Sequence, residues 1–203
     1  MTGRILLHLQ EMKEGYSGVN NADGSKYEGN PCAEQMMIRR IRDDEVYLLR
    51  DFLYEAIFIP GGVTPPPREI VERPELALYY RDFGTGRGDF CVVADDGKRI
   101  AGAAWSRIMN DYGHVDDDTP SLAISLYKEY RGQGTGTEML RELLKLLARE
   151  GFERASLAVQ KDNYAVRMYE NAGFRTVGEN SEEYIMVADL RVEKFNKRKY
   201  NEK

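Results

Sequence analysis

The stretch YRGQGTGTEML, Tyr130 to Leu140, sets Gly132, Gly134 and Gly136 in alternation directly before a run of helix formers. Alternating glycines leave backbone amides bare and let the main chain approach another molecule closely. A helix N-terminus carries N–H groups without intrahelical partners, and its aligned peptide dipoles favour negative charge. The stretch therefore reads as an anion cradle over Gly132, Gln133, Gly134, Thr135, Gly136 and Thr137, with Arg131 able to add a charge. Two common phosphate carriers fit it poorly. No Gly-Lys-Ser/Thr closes the loop, as a P-loop requires. GQGTGT lacks the third dinucleotide-binding glycine, and no series of βαβ units surrounds it. On the glycines alone, a tight strand-to-helix turn stays open as a reading.

Working outward, SLAISLY (Ser121 to Tyr127) precedes the loop as a strand with Leu122, Ile124 and Leu126 on one face. An amphipathic helix follows the loop from about Thr135 to Glu150, its buried stripe being Met139, Leu140, Leu143, Leu144 and Leu147, with Gly151 as its stop. RASLAV is the next strand, NYAVRMYENA a short helix ending at Gly173, and FRTVG with EYIMVADL an antiparallel pair. Upstream, DFCVVADD and KRIAGAAWSRIM flank Asp95-Asp96-Gly97-Lys98, a hairpin signal, and Gly102, Ala103 and Ala104 thin the second strand so that something can pack close. MMIRRI is a short first strand. Asp43 or Asp44 is expected to cap a helix whose apolar positions run from Val46 to Ile57 and which stops before PGGVTPPP. A weaker helix over Arg68 to Tyr80 is interrupted by Pro74. The order β, α, α, β, β, β, α, β, α, β, β gives a mixed sheet with helices on its faces, in the α/β or α+β class.

Residues 1–35 are rich in Gly, Asn and Ser without apolar periodicity and read as a flexible arm. The domain is expected over residues 36–190, followed by a charged, solvated tail at 191–203. A chain of 203 residues, 42% hydrophobic and 31% charged, can bury its own core. Its net charge of -5 argues against nucleic acid as the main partner. Cys32 and Cys91 show no metal-ligand or disulfide-framework spacing, which points to a reducing cytoplasm and no metal. No apolar run approaches the roughly 18 residues of a membrane span, so no membrane partner is expected.

A second segment narrows the carrier. DNYAVRMYENAGF, Asp162 to Phe174, follows the next strand, about 30 residues after Arg-x-x-Gly-x-Gly at Arg131 to Gly136. Together these resemble the GCN5-related N-acetyltransferases, the GNAT superfamily, over about Met36 to Leu190. The resemblance implies a central mixed, mostly antiparallel sheet of about seven strands flanked by about four helices. Its central parallel strands, here Leu122–Leu126 and Arg154–Val159, would splay apart. It implies acetyl-CoA as co-substrate, the pyrophosphate on the Arg131–Thr137 loop and the pantetheine arm along Ile124, Ser125 and Leu126 like a missing strand, with Asn163 lining the same cofactor. It also implies transfer to a primary amine by direct attack in a ternary complex. The alternative is a non-catalytic acyl-CoA sensor or interaction module. Lys128 departs from the proline many relatives carry, so the turn into the loop can differ.

Tyr169 matches the family tyrosine beside the cofactor sulfur, and a phenol is a credible donor to a departing thiolate. A backbone N–H near Leu126 is the candidate oxyanion donor. The base is open. Asp116 and Asp118 of HVDDDTP, His114 beside them, and Glu55 late in the first helix are the substrate-side candidates. The acceptor is a small-molecule amine or a protein amine, the acidic run leaning toward a cation. The resemblance also raises a homodimer.

Overall fold

The computed structural model describes residues 36–59, 62–192 and 195. Among these, seven strands and four helices follow one another in the order the sequence implies. They are β1 (Met37–Arg40), α1 (Leu49–Ala56), α2 (Pro74–Ala77), β2 (Phe90–Asp95), β3 (Ile100–Arg107), β4 (Ser121–Leu126), α3 (Thr135–Arg149), β5 (Arg154–Gln160), α4 (Val166–Ala172), β6 (Phe174–Glu179) and β7 (Glu183–Asp189). The flexible arm expected over residues 1–35 lies outside the described residues, as does most of the tail.

One sheet runs β1-β2-β3-β4-β5-β7-β6, and β4–β5 is its single parallel pair. The β2–β3 hairpin turns where Gly97 takes a φ of 86° and the Asp96 carboxylate accepts the amides of Lys98 and Arg99. The thinned strand has its reason: a Cβ at Gly102 would stand 2.5 Å from the Ser125 carbonyl oxygen. The last two strands pair as expected, but β7 inserts between β5 and β6 and is bonded to both.

Each face of the sheet has its own core. The α3 stripe Met139, Leu140, Leu143, Leu144 and Leu147 is buried on one face, with Tyr169 and Phe174 beyond it. Phe195, within the expected tail, packs into this core at 5% exposure. On the other face Leu49, Phe52 and Leu53 of α1 close over Val93, Ala103 and Trp105. Each large aliphatic side chain so buried contributes about 1.5–3 kcal/mol.

Two local expectations change. The first helical segment begins as a 3-10 turn over Asp43–Leu48, and neither Asp43 nor Asp44 caps it. Glu45 reaches back instead, its Oε2 accepting the Arg42 amide at 2.9 Å while Arg39 donates to both carboxylate oxygens. In the second segment Pro74 opens α2 after a 3-10 turn rather than breaking a longer helix, because its missing N–H costs nothing at N1. Among the described residues no helix is long and apolar enough to cross a membrane.

Candidate active site

Alternation along β4 sends Leu122 and Leu126 into the α3 core, while Ser125 turns to α1 and donates its hydroxyl to the Phe52 carbonyl at 2.7 Å. The backbone alternates too. The Tyr127 amide donates to the Ala101 carbonyl at 3.0 Å, so odd-numbered residues of β4 bond to β3. Leu122, Ile124 and Leu126 therefore direct their N–H and C=O groups toward β5.

β5 meets β4 only at its start, where Ser121 stands opposite Ser156 and the Ser156 amide donates to the Pro120 carbonyl at 2.9 Å. Beyond that point the strands diverge, and β5 follows β7 over its whole length. The amide and carbonyl of Ile124 and the amide of Leu126, facing Ala158, border a wedge with no strand in it among the described residues, while the Gln160 carbonyl accepts the Asn163 amide at 2.9 Å. Backbone groups in such a place need a partner. Ser125 borders the wedge through neither its side chain nor its backbone polar groups, which parts it from Ile124 and Leu126.

At the wide end stands the glycine loop. Gly134 is the N-cap of α3 at φ 88°, and with no side-chain cap the amides of Thr135, Gly136 and Thr137 are left without intrahelical partners. The first helical bond is Glu138 N–H to the Gly134 carbonyl, 3.1 Å. A Cβ at Gly132 (φ 76°) or Gly134 would meet nothing within 4 Å, so space lies open before the loop. The loop is braced from behind. Gln133 donates through Nε2 to the Glu129 carbonyl at 3.0 Å, and the Tyr130 hydroxyl donates to Asp96 of the hairpin, helping to hold that carboxyl down at about 2. The chain turns at Lys128 through a short 3-10 segment, Lys128–Tyr130.

Arg131 is placed differently from the sequence reading. Its Nε donates to the Leu126 carbonyl at 2.8 Å, and its Nη2 lies 3.1 Å from Glu55 Oε2. Glu55 is thus a partner of Arg131, with Arg68 3.7 Å away, rather than a free acid in an acceptor pocket. The same bond occupies the Leu126 carbonyl and leaves the Leu126 N–H toward the wedge.

After β5, α4 carries Tyr169, 9% exposed and edge-to-face with Phe174 at 5.8 Å. Burial pushes its phenol well above the ordinary range, so it is protonated at neutral pH. Its hydroxyl has no hydrogen-bond partner among the described residues. Asn163 precedes α4 and accepts the Ala165 amide through Oδ1 at 2.9 Å, shaping the turn beside a surface groove that it lines with Tyr164 and Arg167.

The acidic run is not brought to the wide end. Residues 114–118 precede β4, about 17 Å along the strand from the glycine loop. Asp116 is consumed by structure: Thr119, the Asp118 amide and Arg154 all donate to it, and its carboxyl is held low chiefly by Thr119. Asp118 pairs with Arg87 on the surface at 3.0 Å, and His114 places Nδ1 3.0 Å from the Met109 carbonyl. Sequence reasoning missed Asp111 in the same loop, because DYGH has no motif and only tertiary packing buries it. Cys91 is buried in the α1 face, its thiol pushed up by desolvation. Among the described residues no cluster of His, Cys, Asp or Glu is placed to hold a metal ion.

A strand-shaped wedge ending at an amide-lined helix N-terminus defines a site for an extended, amide-bearing ligand tipped with an anion. The profile of the Acetyltransferase (GNAT) family matches residues 56–174, and the chain belongs to that family of acetyltransferases. A search of the curated proteins finds no match. Among solved structures, the ribosomal-protein-S18-alanine N-acetyltransferase from Escherichia coli is similar at TM-score 0.54 and 17% identity, over 77% of this chain and 94% of that one. YncA from Salmonella typhimurium, solved with its cofactor acetyl-CoA, is similar at TM-score 0.56 and 17% identity, over 77% and 94%. The PaiA N-acetyltransferase from Thermoplasma acidophilum, in complex with coenzyme A, is similar at TM-score 0.54 and 17% identity, over 76% and 99%.

Proposed function

We infer that this protein transfers the acetyl group of acetyl-CoA to a primary amine by direct attack. The observation that carries the reading is the unpaired wedge between β4 and β5, closed at Ser121–Ser156 and open at the bare amides of α3. Two of the similar structures carry acetyl-CoA or coenzyme A, the ligand whose shape that wedge suits. The diphosphate would rest on the amides of Thr135, Gly136 and Thr137, and the pantetheine amides would pair with the Leu126 N–H and the Ile124 carbonyl like an inserted strand.

Each step then has a group. With the diphosphate at the wide end, the attacked carbonyl lies toward the vertex, where the wedge-facing N–H of Ile124, rather than the Leu126 N–H nearer the loop, would hold its oxyanion. Tyr169 holds its proton at neutral pH and gives it to the departing thiolate as the C–S bond breaks. The phenolate formed takes a proton from the newly bonded nitrogen. Buried Cys91 is unsuited to an acetyl-enzyme, since its thiol stays protonated and enclosed, which favours the direct route.

The test is calorimetric titration with acetyl-CoA, with ATP and NAD as controls, followed by thiol release in a screen of primary amines with wild type and Tyr169→Phe. Saturable acetyl-CoA binding is expected, with turnover falling about 10²-fold in the variant at unchanged affinity. Absence of acetyl-CoA binding by folded wild-type protein refutes the reading. Binding without transfer to any amine supports the non-catalytic sensor instead.

A further inference from the structure

Between β3 and β4 the chain returns through residues 108–120, and part of that loop is laid onto the closed end of the wedge. Gly113 is buried there against both diverging strands. A Cβ on it would stand 2.5 Å from Ser121 Oγ and 2.9 Å from the Ala158 amide nitrogen, so no other residue fits without moving β5. Two residues earlier the loop delivers Asp111. The Ser121 hydroxyl donates to its Oδ2 at 2.6 Å and the Tyr79 hydroxyl to the same oxygen at 2.7 Å. Its Oδ1 is enclosed and meets no side-chain donor, with the amides of Gly113 and of Asp111 itself acting on the carboxylate.

A second enclosed, unpartnered group stands on the neighbouring strand. Ser156 is 0% exposed, and its Oγ bonds to nothing among the described residues. Ser156 is the register partner of Ser121, so the two hydroxyls leave the same face of the sheet side by side, at the residue whose hydroxyl holds Asp111. Polar atoms buried without side-chain partners are rare in folded proteins and call for a reason beyond packing. Glu183, at the start of β7, adds a second half-buried carboxyl within electrostatic reach of Asp111.

We propose that Asp111, at the vertex of the wedge, receives the proton of the acceptor's ammonium group, and that Asp111 and Glu183 together select a primary alkylammonium as the acceptor. This rests on the acetyl-CoA reading above, which places the acyl end of the ligand toward this vertex. Tyr169 belongs to the core on the α3 face of the sheet, and Ser121, which holds Asp111, points to the α1 face, so the two groups would approach a thioester in the wedge from opposite faces.

The groups facing Asp111 are Tyr79 after α2, Ser121 on β4, Glu183 on β7 and Tyr112 in its own loop, with Glu75 and Arg73 of the α2 region acting on Tyr112. No cation from these elements is paired with the Asp111 carboxylate. Burial raises its pKa, outweighing the hydroxyls of Ser121 and Tyr79 and the nearby backbone amides, which lower it. A carboxyl raised in this way is a better base than an exposed one. The same burial, with Asn180 opposing and Glu182 and Asp111 reinforcing, raises Glu183.

The step balances. The ammonium R–NH3+ gives one proton to Asp111 and becomes the neutral nucleophile. Its nitrogen bonds to the thioester carbon, the C–S bond breaks, and the thiolate takes the Tyr169 proton. The tyrosinate recovers a proton from the new amide nitrogen, and Asp111 releases its own to solvent.

The experiment compares wild type, Asp111→Asn, Tyr79→Phe and Glu183→Gln as full chains, with spermidine and an alanine-terminated tripeptide amide as the probe amines. Acetyl-CoA titration comes first: all four proteins are expected to bind alike, and a wild type that fails here refutes the parent reading rather than this one. Steady-state rates against pH come second. Asp111→Asn should lose about 10²-fold or more in kcat. Its residual rate should rise in proportion to hydroxide up to the amine's own pKa, where the wild type is already flat. Tyr79→Phe removes a hydrogen bond that lowers the Asp111 pKa, so the acidic limb of kcat should move to higher pH while the plateau remains. Glu183→Gln should raise KM more than it lowers kcat. Spermidine preferred over the peptide identifies a small polycation, the reverse a protein N-terminus, and turnover of either supports the ammonium site. Unchanged pH profiles in both Asp111→Asn and Tyr79→Phe overturn the assignment. So does a wild type that binds acetyl-CoA and acetylates neither probe.

Discussion

Replacing Gly134 by glutamate tests the anion cradle directly. Two effects separate cleanly because of where this residue stands. Its φ of 88° is the left-handed region, where an L side chain costs roughly 1–2 kcal/mol. That cost falls on folding, and for a domain of this size it lowers Tm by about 2–8 °C. The new Cβ meets nothing within 4 Å, so no repacking is added. The carboxylate, however, enters the open space before the Thr135, Gly136 and Thr137 amides. At about 4 Å two unit charges repel by about 1 kcal/mol in water and about 4 kcal/mol at a protein surface. The loop is exposed, which favours the lower end, but a diphosphate brings more than one charge. A loss of about 2–4 kcal/mol is expected, roughly 30- to 1,000-fold in the acetyl-CoA Kd. Gly134→Ala carries the same strain without the charge and should keep most of the affinity. Calorimetric titration of both variants at 0.1 M and 1 M salt is the assay. The difference between them should shrink as the Debye length falls from about 10 Å to about 3 Å. Equal affinity for the two variants at low salt would falsify the anion site and leave the glycines as a turn.

Three further outcomes concern the frame around the site. Glu45 has its pKa lowered to about 2, first by the Arg39 hydrogen bonds, against an ordinary value of 4.5. A depressed carboxyl stabilises above its unfolded pKa, so this contribution, about 3 kcal/mol, is present at pH 7 and lost as pH falls from about 4.5 to 2. Urea midpoints of Glu45→Gln and wild type should therefore converge at low pH, and an offset independent of pH contradicts the argument. Trp105 is fully buried and donates its indole N–H to the Tyr79 carbonyl at 2.9 Å. Trp105→Phe should lose about 2–4 kcal/mol in chemical denaturation, and no loss would mean that this bond adds nothing. Tyr130→Phe removes the bond to Asp96 that braces the loop, so acetyl-CoA should bind a few-fold more weakly with little change in Tm. A Tm drop without an affinity change would assign Tyr130 to folding alone.

Much of this protein is legible along the chain because its cause is local. The α3 stripe follows from leucine spacing, the hairpin from Asp-Gly chemistry, and the bare amides from glycines where a capping side chain would otherwise sit. Proline at position 74 shows the limit of such reading, since the same residue that interrupts one helix begins another. The partners of long side chains were less legible still. Arg131 was expected on the cofactor, yet the fold brings Glu55 and the Leu126 carbonyl within its reach across 76 and 5 residues of chain.

Local periodicity, turn chemistry and the two spaced motifs determined the element order and the glycine loop before α3, because each depends on neighbours within a few residues. Tertiary structure alone decided that β7 lies between β5 and β6, and that β4 and β5 part after one register pair. It alone chose among the acids. Asp116 and Asp118 look the more conspicuous in the sequence, yet they are spent on Thr119, Arg154 and Arg87. Asp111, isolated in its loop, is largely buried at the vertex and held by hydroxyls and amides rather than by a cation. Burial and desolvation are properties of what the rest of the chain packs against, and no single residue carries them in its own neighbourhood.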